Sequence, residues 1–231
     1  MSSIFITGDI HAGKTIHCLN NRNFPEGKTL YRNDYVIVAG DFGLPWCNDA
    51  EDKYWLNWLA QKPYTVLFID GNHENYTNLY NYPTDTWHGG MIRILGDNIF
   101  HLCRGQVYDF GGIRTFCFGG ARSHDIQYRK EGISWWKEEL PNQMEYDEAI
   151  NNLDACNWNV DLVLTHTAPK RFISPLLQAP YEVNEETQLH QFFEDVDSRL
   201  TYEHWYFGHF HQDVTLDEKH TVVYNKVHRF R

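Results

Sequence analysis

Residues 4–11 read Ile4-Phe5-Ile6-Thr7-Gly8-Asp9-Ile10-His11, a short apolar run followed at once by a carboxylate and an imidazole. An apolar and β-branched run that ends at glycine predicts a short buried strand. Asp9 and His11 stand two positions apart, so in an extended segment their side chains point to the same side. This stretch therefore predicts a strand whose carboxyl end presents two chemically active side chains.

The same pattern recurs at four later apolar runs. Each of these runs is followed directly by ligand-type residues: Val36–Ala39 by Gly40-Asp41, Val66–Ile69 by Asp70-Gly71-Asn72-His73-Glu74, Leu162–Thr165 by His166, and Trp205–Phe207 by Gly208-His209-Phe210-His211. The carboxyl ends of strands in an open α/β sheet gather along one edge, so side chains distant in sequence can converge there. Carboxylate, imidazole and carboxamide together suit divalent ions such as Mn, Fe or Zn. The five strand ends therefore predict a metal site.

Length and composition indicate a folded protein with one domain spanning residues 1–231 and a hydrophobic content of 42%. No apolar run approaches the roughly 20 residues of a membrane span, and no basic segment followed by an apolar one opens the chain. The five cysteines are scattered and lack CxxC spacing. These features predict a cytoplasmic protein with reduced thiols and no membrane partner.

The formal net charge of −11 argues against unspecific binding to nucleic acid or to an anionic membrane. It leaves a phosphorylated substrate open, because two divalent cations would reverse the local field in a cleft. The oligomeric state is not predicted by any feature of the sequence.

Periodicity and turn residues predict the remaining elements. Helices are expected over residues 14–22, 49–62, 142–156 and 185–200, and strands over residues 91–95, 99–102, 106–110, 113–118, 160–164 and 221–227. The four strands between residues 91 and 118 are expected to form an antiparallel meander. A loop is expected around Pro169, Pro175 and Pro180. Alternating strands and helices indicate one α/β domain with mixed sheets and helices outside.

The five blocks resemble, in type and order, those of the calcineurin-like metallophosphoesterases: Gly8-Asp9-Ile10-His11, Gly40-Asp41, Gly71-Asn72-His73-Glu74, His166 and Gly208-His209-Phe210-His211. They span positions 8 to 211, nearly the whole chain. The resemblance implies a metallophosphoesterase-type β-sandwich of two mixed sheets flanked by helices, in four layers. It also implies a dinuclear metal centre at one edge of the sandwich.

The resemblance also implies roles for individual residues. Asp9, His11 and His211 would hold the first metal ion, Asn72, His166 and His209 the second, with Asp41 bridging both. The ions would be divalent, with manganese expected to serve in vitro and iron, zinc, nickel or magnesium as alternatives. The implied reaction is hydrolysis of a phosphomonoester or phosphodiester by a metal-bridged hydroxide, with His73 as the general acid.

The second block departs from the phosphoprotein-phosphatase branch, whose pattern is Gly-Asp-x-x-Asp-Arg-Gly. Here the chain reads Gly40-Asp41-Phe42-Gly43-Leu44-Pro45, so that branch's second Asp and its phosphate-binding Arg are missing. This argues against a phosphoprotein phosphatase, and it leaves the residue that orients His73 unidentified. The expected substrate is a small phosphorylated molecule or a nucleotide. For the phosphate, candidate contacts lie in a polar segment after Gly119-Gly120: Arg122, His124 and Arg129.

Three alternatives remain open. Residues 8–15 match G-x-x-x-x-G-K-[ST], the phosphate-binding loop of P-loop NTPases, but that reading leaves the later blocks unexplained. A nuclease of the same fold is a second alternative, which the acidic balance and the lack of a basic stripe disfavour. The third is a non-catalytic scaffold of this fold, which would be expected to lose ligands, and none is missing here.

Overall fold

The computed structural model describes residues 2–231 as two mixed β-sheets packed face to face, with helices on both outer faces. The strands are β1 (Ile4–Thr7), β2 (Tyr35–Ala39), β3 (Thr65–Ile69), β4 (Thr84–Trp87), β5 (Gly90–Gly96), β6 (Ile99–Leu102), β7 (Gln106–Asp109), β8 (Arg114–Phe118), β9 (Leu162–Thr165), β10 (His204–Phe207), β11 (Val214–Thr215), β12 (His220–Val222) and β13 (His228–Arg229). The α-helices are α1 (Ala50–Ala60), α2 (Tyr76–Leu79), α3 (Gln143–Ala155), α4 (Lys170–Leu177) and α5 (Thr187–Arg199).

The strand order places the five block-bearing strands side by side. The first sheet runs β13-β1-β2-β3-β6-β5-β4, and β1, β2 and β3 are parallel neighbours. The second sheet runs β11-β12-β10-β9-β8-β7, and β9 and β10 are parallel neighbours. Parallel neighbours end at the same edge of their sheet, and the N–H of His209, after β10, donates to Asp9, after β1, so the blocks of both sheets meet on one side of the sandwich.

Alternation along the strands builds the four predicted layers. Ile4 and Ile6 of β1 pack between the sheets, against residues such as Leu164 of β9. Phe5 points to the opposite face and packs in an outer core that includes Leu59 of α1. A third core lies outside the second sheet, where α3, α4 and α5 cover it. The predicted four-layer sandwich of two mixed sheets flanked by helices is therefore confirmed.

The predicted strands, except the one over residues 221–227, and three of the four predicted helices agree with the structure within a few residues. Helix α1 begins after Asp49, whose side chain accepts the N–H groups of Glu51 and Asp52. Helix α3 begins after Asn142, which forms a capping box with Glu145. These ends were predictable because the capping residues stand next to the apolar pattern they terminate.

The helix predicted over residues 14–22 is wrong. The segment forms only a short 3-10 turn, Ile16–Leu19. Oδ1 of Asn20 accepts the N–H groups of Arg22 and Asn23, and this side-chain turn competes with continued helix. The P-loop alternative required a helix at this point.

Three other expectations need correction. The loop expected around three prolines contains α4, which buries Ile173 and Leu176 and tolerates Pro175 in its interior. The expected meander is divided, because β5 and β6 belong to the first sheet and β7 and β8 to the second. The strand expected over residues 221–227 is strand only at its start, in β12, because residues 223–227 form no regular structure before β13 begins at His228.

Among residues 2–231, no helix combines the length and apolar character needed to traverse a lipid bilayer.

Candidate metal centre

The chain turns sharply where it enters the centre. Five residues of the blocks have positive φ although none is glycine: Asp9 (28°), His11 (42°), Asp41 (51°), His209 (69°) and His211 (50°). Such backbone is uncommon for residues with a Cβ and concentrates at functional sites. The turns direct side chains from separate strands toward one point.

Glycine makes close packing around that point feasible. A Cβ at Gly40 would collide with the ring of His166, and a Cβ at Gly71 would collide with Oδ1 of Asp41. Any larger residue at these two positions would displace the side chains that face the centre.

One group of ligand-type atoms comes from His11, Asp41 and His211. The Nε2 atoms of His11 and His211 face each other at 2.9 Å, and Nε2 of His11 lies 3.7 Å from Oδ2 of Asp41. The ring of His211 stacks on Tyr224. These three side chains offer two imidazole nitrogens and a carboxylate oxygen within 4.8 Å of one another.

A second group comes from Asp9, Asp41 and His166, whose ligand-type atoms also lie within 4.8 Å of one another. Nδ1 of His166 donates to the carbonyl oxygen of Ala39 at 2.8 Å, which leaves Nε2 available as a ligand. That Nε2 lies 3.2 Å from Oδ1 of Asp41 and 3.3 Å from Oδ1 of Asn72. Asp41 is thus common to both groups.

Asp9 carries a buried oxygen with no partner among the described residues. Its Oδ1 accepts the N–H of His209 at 3.0 Å, whereas its Oδ2 has no hydrogen bond. Burial raises the pKa of Asp9 to about 8, although His166 opposes this. An unpartnered buried carboxylate oxygen beside imidazoles fits a divalent cation.

The imidazoles respond to the same burial. It lowers the pKa of His11 to about 4 and that of His209 to about 3. His166 is the exception, because Asp41 and Asp9 raise its pKa to about 10 against the effect of burial. Imidazoles bind metal in their neutral form. A bound cation would replace the positive charge that protonated His166 otherwise places beside Asp41 and Asp9.

His73 adjoins the centre without belonging to either group. Its backbone N–H donates to Oδ1 of Asp41 at 2.8 Å, and its ring centroid lies 5.0 Å from that of His11. Burial lowers the pKa of the His73 imidazole, although Asp41 raises it. A phosphoester anion in the neighbouring cavity would favour the protonated form.

The three predicted phosphate contacts are placed differently. His124 and Arg129 line a cavity of about 290 Å³ together with Asp41, Asn72 and His209. Arg129 is held there by Asp125, whose Oδ1 lies 2.6 Å from its Nε. Arg122 instead pairs with Glu185 at 2.8 Å and is not among the residues that line this cavity.

Two residues support the centre in ways that the sequence did not indicate. The Oγ of Ser123, which is buried, accepts Nδ2 of Asn72 at 3.3 Å and so turns the amide oxygen of Asn72 toward His166. Glu74 accepts the N–H groups of Phe42 and Gly43, which joins the second and third blocks. Glu74 was visible in its block, whereas nothing local distinguishes Ser123 from any other serine.

Fold and centre together define a metal-dependent phosphoester hydrolase. The family model of the calcineurin-like phosphoesterases matches residues 2–213, and the chain belongs to this family. The family is metal-dependent and typically dinuclear.

Two further comparisons add context. The crystal structure of phosphopantetheinyl hydrolase from Mycobacterium tuberculosis is similar over 97% of this chain and 90% of that chain, at 17% sequence identity and a TM-score of 0.42. No curated protein sequence matches the chain at a significant level.

Proposed function

We propose that this protein is a dinuclear phosphoesterase that hydrolyses a small phosphorylated molecule or a nucleotide. The observation that carries the proposal is Asp41, whose carboxylate is common to two separate groups of ligand-type atoms. A carboxylate with one oxygen toward each group is suited to bridge two ions.

Asp9, His11 and His211 would hold one ion, and Asn72, His166 and His209 the other, with Asp41 between them. The unpartnered oxygen of Asp9 and the proximity of Nε2 of His166 to Oδ1 of Asp41 and Oδ1 of Asn72 support cation binding here, although Asp9 lies in the group of Asp41 and His166. Divalent ions in such a centre neutralise charge on phosphoryl oxygens and lower the pKa of water.

The chain's own residues would then orient the substrate and move a proton. Arg129, braced by Asp125, would hold a phosphoryl oxygen through its guanidinium group. His73 would give a proton from its ring to the departing oxygen of the substrate. Both residues line the cavity that contains Asp41 and Asn72.

The test is an assay of protein stripped of metal and then reloaded with manganese. We expect hydrolysis of an aryl phosphate monoester or diester that depends on manganese and falls by about a thousand-fold or more in Asp41→Asn. Iron, zinc, nickel and magnesium are compared in the same assay. Activity that is independent of metal, or unchanged in Asp41→Asn, would overturn the proposal.

His73→Ala tests the proton transfer separately. We expect turnover to fall by about 10²–10⁴-fold while both ions remain bound, because a general acid contributes that much. The loss should be smallest for substrates whose leaving group needs no proton, such as nitrophenol. Loss of metal from His73→Ala, measured by elemental analysis, would show that the residue has a different role.

A further inference from the structure

A second cavity opens beside the metal centre, on the side of His73. Its volume is about 270 Å³, and its walls are His11, Ala12, Lys14, Gly43, Trp46 and His73. We call it the leaving-group cavity. Among its wall residues Lys14 is the only one with a permanent charge, and Trp46 provides the only large aromatic surface.

His73 connects this cavity to the reaction. Its imidazole lines both the cavity that contains Asp41 and the leaving-group cavity. If His73 protonates the departing oxygen, that oxygen must lie next to its ring, and the rest of the leaving group must extend from there. Arg129 lines only the cavity that contains Asp41 and is absent from the walls of the leaving-group cavity.

Trp46 is held in place by unusually complete hydrogen bonding of its backbone. Oδ2 of Asp52 accepts the N–H of Trp46 at 2.9 Å, together with those of the next two residues. The carbonyl oxygen of Trp46 accepts amide groups from Asn75 and Asn78, each at 2.7 Å. Asn75 stands two residues after His73, so the backbone of Trp46 is fixed relative to the proton donor.

The indole of Trp46 is also supported from one side. The buried ring of Trp136 packs edge-on against it, with centroids 5.4 Å apart. Trp136 is itself anchored through its Nε1, which donates to Thr77. A half-buried indole whose position is fixed presents a flat surface on which a planar group can stack at little entropic cost.

Lys14 adds a charge to that surface. Its side chain is exposed, and it forms neither an ion pair nor a side-chain hydrogen bond with any part of the chain from residue 2 onward. Farther out, a cavity of about 380 Å³ shares Lys14 and Trp46 but also has Asp49, Glu51 and Asp52 in its walls. These acids would repel an anion that extends beyond Lys14.

We propose that the leaving group of the substrate is planar, aromatic and anionic, stacking on Trp46 with its negative charge at Lys14. This proposal rests on the proposed function, because it uses His73 as proton donor. A nucleotide moiety has this chemistry. Asp49, Glu51 and Asp52 in the walls of the 380 Å³ cavity would repel a longer anionic group, so the negative charge of the leaving group must end near Lys14.

The test compares three synthetic phosphate esters of primary alcohols, whose leaving groups have similar intrinsic reactivity: cyclohexylmethyl phosphate, 2-naphthylmethyl phosphate and its 6-carboxy derivative. Each is supplied as monoester and as methyl diester to manganese-loaded protein. We expect kcat/KM to rise in that order, about tenfold or more for the naphthyl ring and several-fold for the carboxylate. Binding of the same esters to protein held at low temperature is followed by calorimetry, so that slow turnover does not hide recognition.

Paired variants separate the two contacts. Trp46→Ala should lower kcat/KM about tenfold more for the naphthylmethyl ester than for the cyclohexylmethyl ester, whereas Trp46→Phe should keep much of the naphthyl advantage. Lys14→Gln should remove only the carboxylate advantage, and Lys14→Arg should restore it. Lys53→Gln, which removes the same charge from an exposed lysine outside these cavities, is the matched control and should change nothing.

The outcomes distinguish the two proposals. Metal-dependent hydrolysis with equal kcat/KM and equal affinity for all three esters would overturn the leaving-group assignment and retain the phosphoesterase. An equal effect of Trp46→Ala on all three esters would also overturn it. Absence of metal-dependent turnover with any ester, together with absence of Asp41-dependent metal binding, would overturn the proposed function itself.

Discussion

Two buried carboxylate clusters lie close together at the same edge of the sandwich, and they differ in how their charge is compensated. Asp70 follows β3 and accepts hydrogen bonds from Arg104, from His101 at 3.0 Å and from Tyr76 at 2.8 Å. Asp9 follows β1 and has imidazoles nearby, but one of its oxygens has no partner among the described residues. The first cluster is complete within the chain, and the second is not.

The pKa directions follow this difference. Burial alone would raise the pKa of Asp70, but the Arg104 guanidinium and His101 hold it well below its usual range. For Asp9 the effect of burial prevails and raises the pKa to about 8. A buried carboxylate with a fixed cationic partner is structural, whereas one without it is suited to an external cation. The opposite pKa shifts thus distinguish Asp70, which stabilises the fold, from Asp9, which is suited to bind metal, although both residues follow a strand in the sequence.

The largest expected effect concerns the complete cluster. Arg104→Met should lower the free energy of unfolding by about 3–5 kcal/mol, because it leaves Asp70 buried and unpaired. Arg104 also donates to the carbonyl oxygens of Glu138 and Glu139, so the segment that follows β8 should loosen as well. Chemical denaturation of metal-free protein measures the change.

A double variant checks the cause of that loss. Combining Arg104→Met with Asp70→Asn should recover part of the stability, because the unpaired charge is gone. If the double variant is no more stable than Arg104→Met, the unpaired charge of Asp70 is not the reason for the loss. Charge compensation would then not be what distinguishes the Asp70 cluster from the Asp9 cluster.

The incomplete cluster should respond to metal. Wild-type protein should gain about 2.7 kcal/mol of stability when free manganese is a hundred times its dissociation constant. In metal-free protein Asp9→Asn should cost little, because asparagine keeps the oxygen that accepts the N–H of His209, but the gain from manganese should be sharply reduced. Thermal unfolding with and without manganese measures both quantities.

The opposite result would contradict the assignment of Asp9 to the metal centre. If Asp9→Asn destabilises the metal-free protein as strongly as Arg104→Met and leaves the manganese effect intact, Asp9 belongs to the scaffold. Arg104→Met should keep the manganese-dependent gain as long as the protein folds, which provides the matched control.

The smallest expected effect is a pH dependence at Glu139, which links the two clusters. Its carboxylate accepts the N–H of Ser123 at 2.9 Å, and burial raises its pKa from 4.5 to about 7. Because the folded-state pKa is raised, the stability contribution is complete below pH 4.5 and is lost as pH rises to about 7.

The measurement compares metal-free wild type with Glu139→Gln between pH 4.5 and 8. Wild type should lose stability relative to the variant up to about pH 7, and the difference should then stay constant. A difference that does not vary with pH would show that Glu139 is ionised throughout, as Asp70 is.

Local sequence was sufficient to predict the candidate ligand residues, and it correctly indicated the strands that carry them and, through the family resemblance, the four-layer class of fold. These features are local, because a short apolar run, a glycine and one or two ligand-type side chains stand within a few residues of each other. The capping residues Asp49 and Asn142 were predictable for the same reason. The family match extends over these blocks.

The contacts by which distant segments complete the site became visible only in the tertiary structure. Three examples bring together residues that are tens of positions apart in the sequence: Ser123 with Asn72, Arg122 with Glu185, and Trp46 with His73. Likewise, α4 forms despite Pro175 because its apolar face is buried, and local propensity does not include that burial. Periodicity records which face of an element is apolar, but the partner of that face is set by packing of the whole chain.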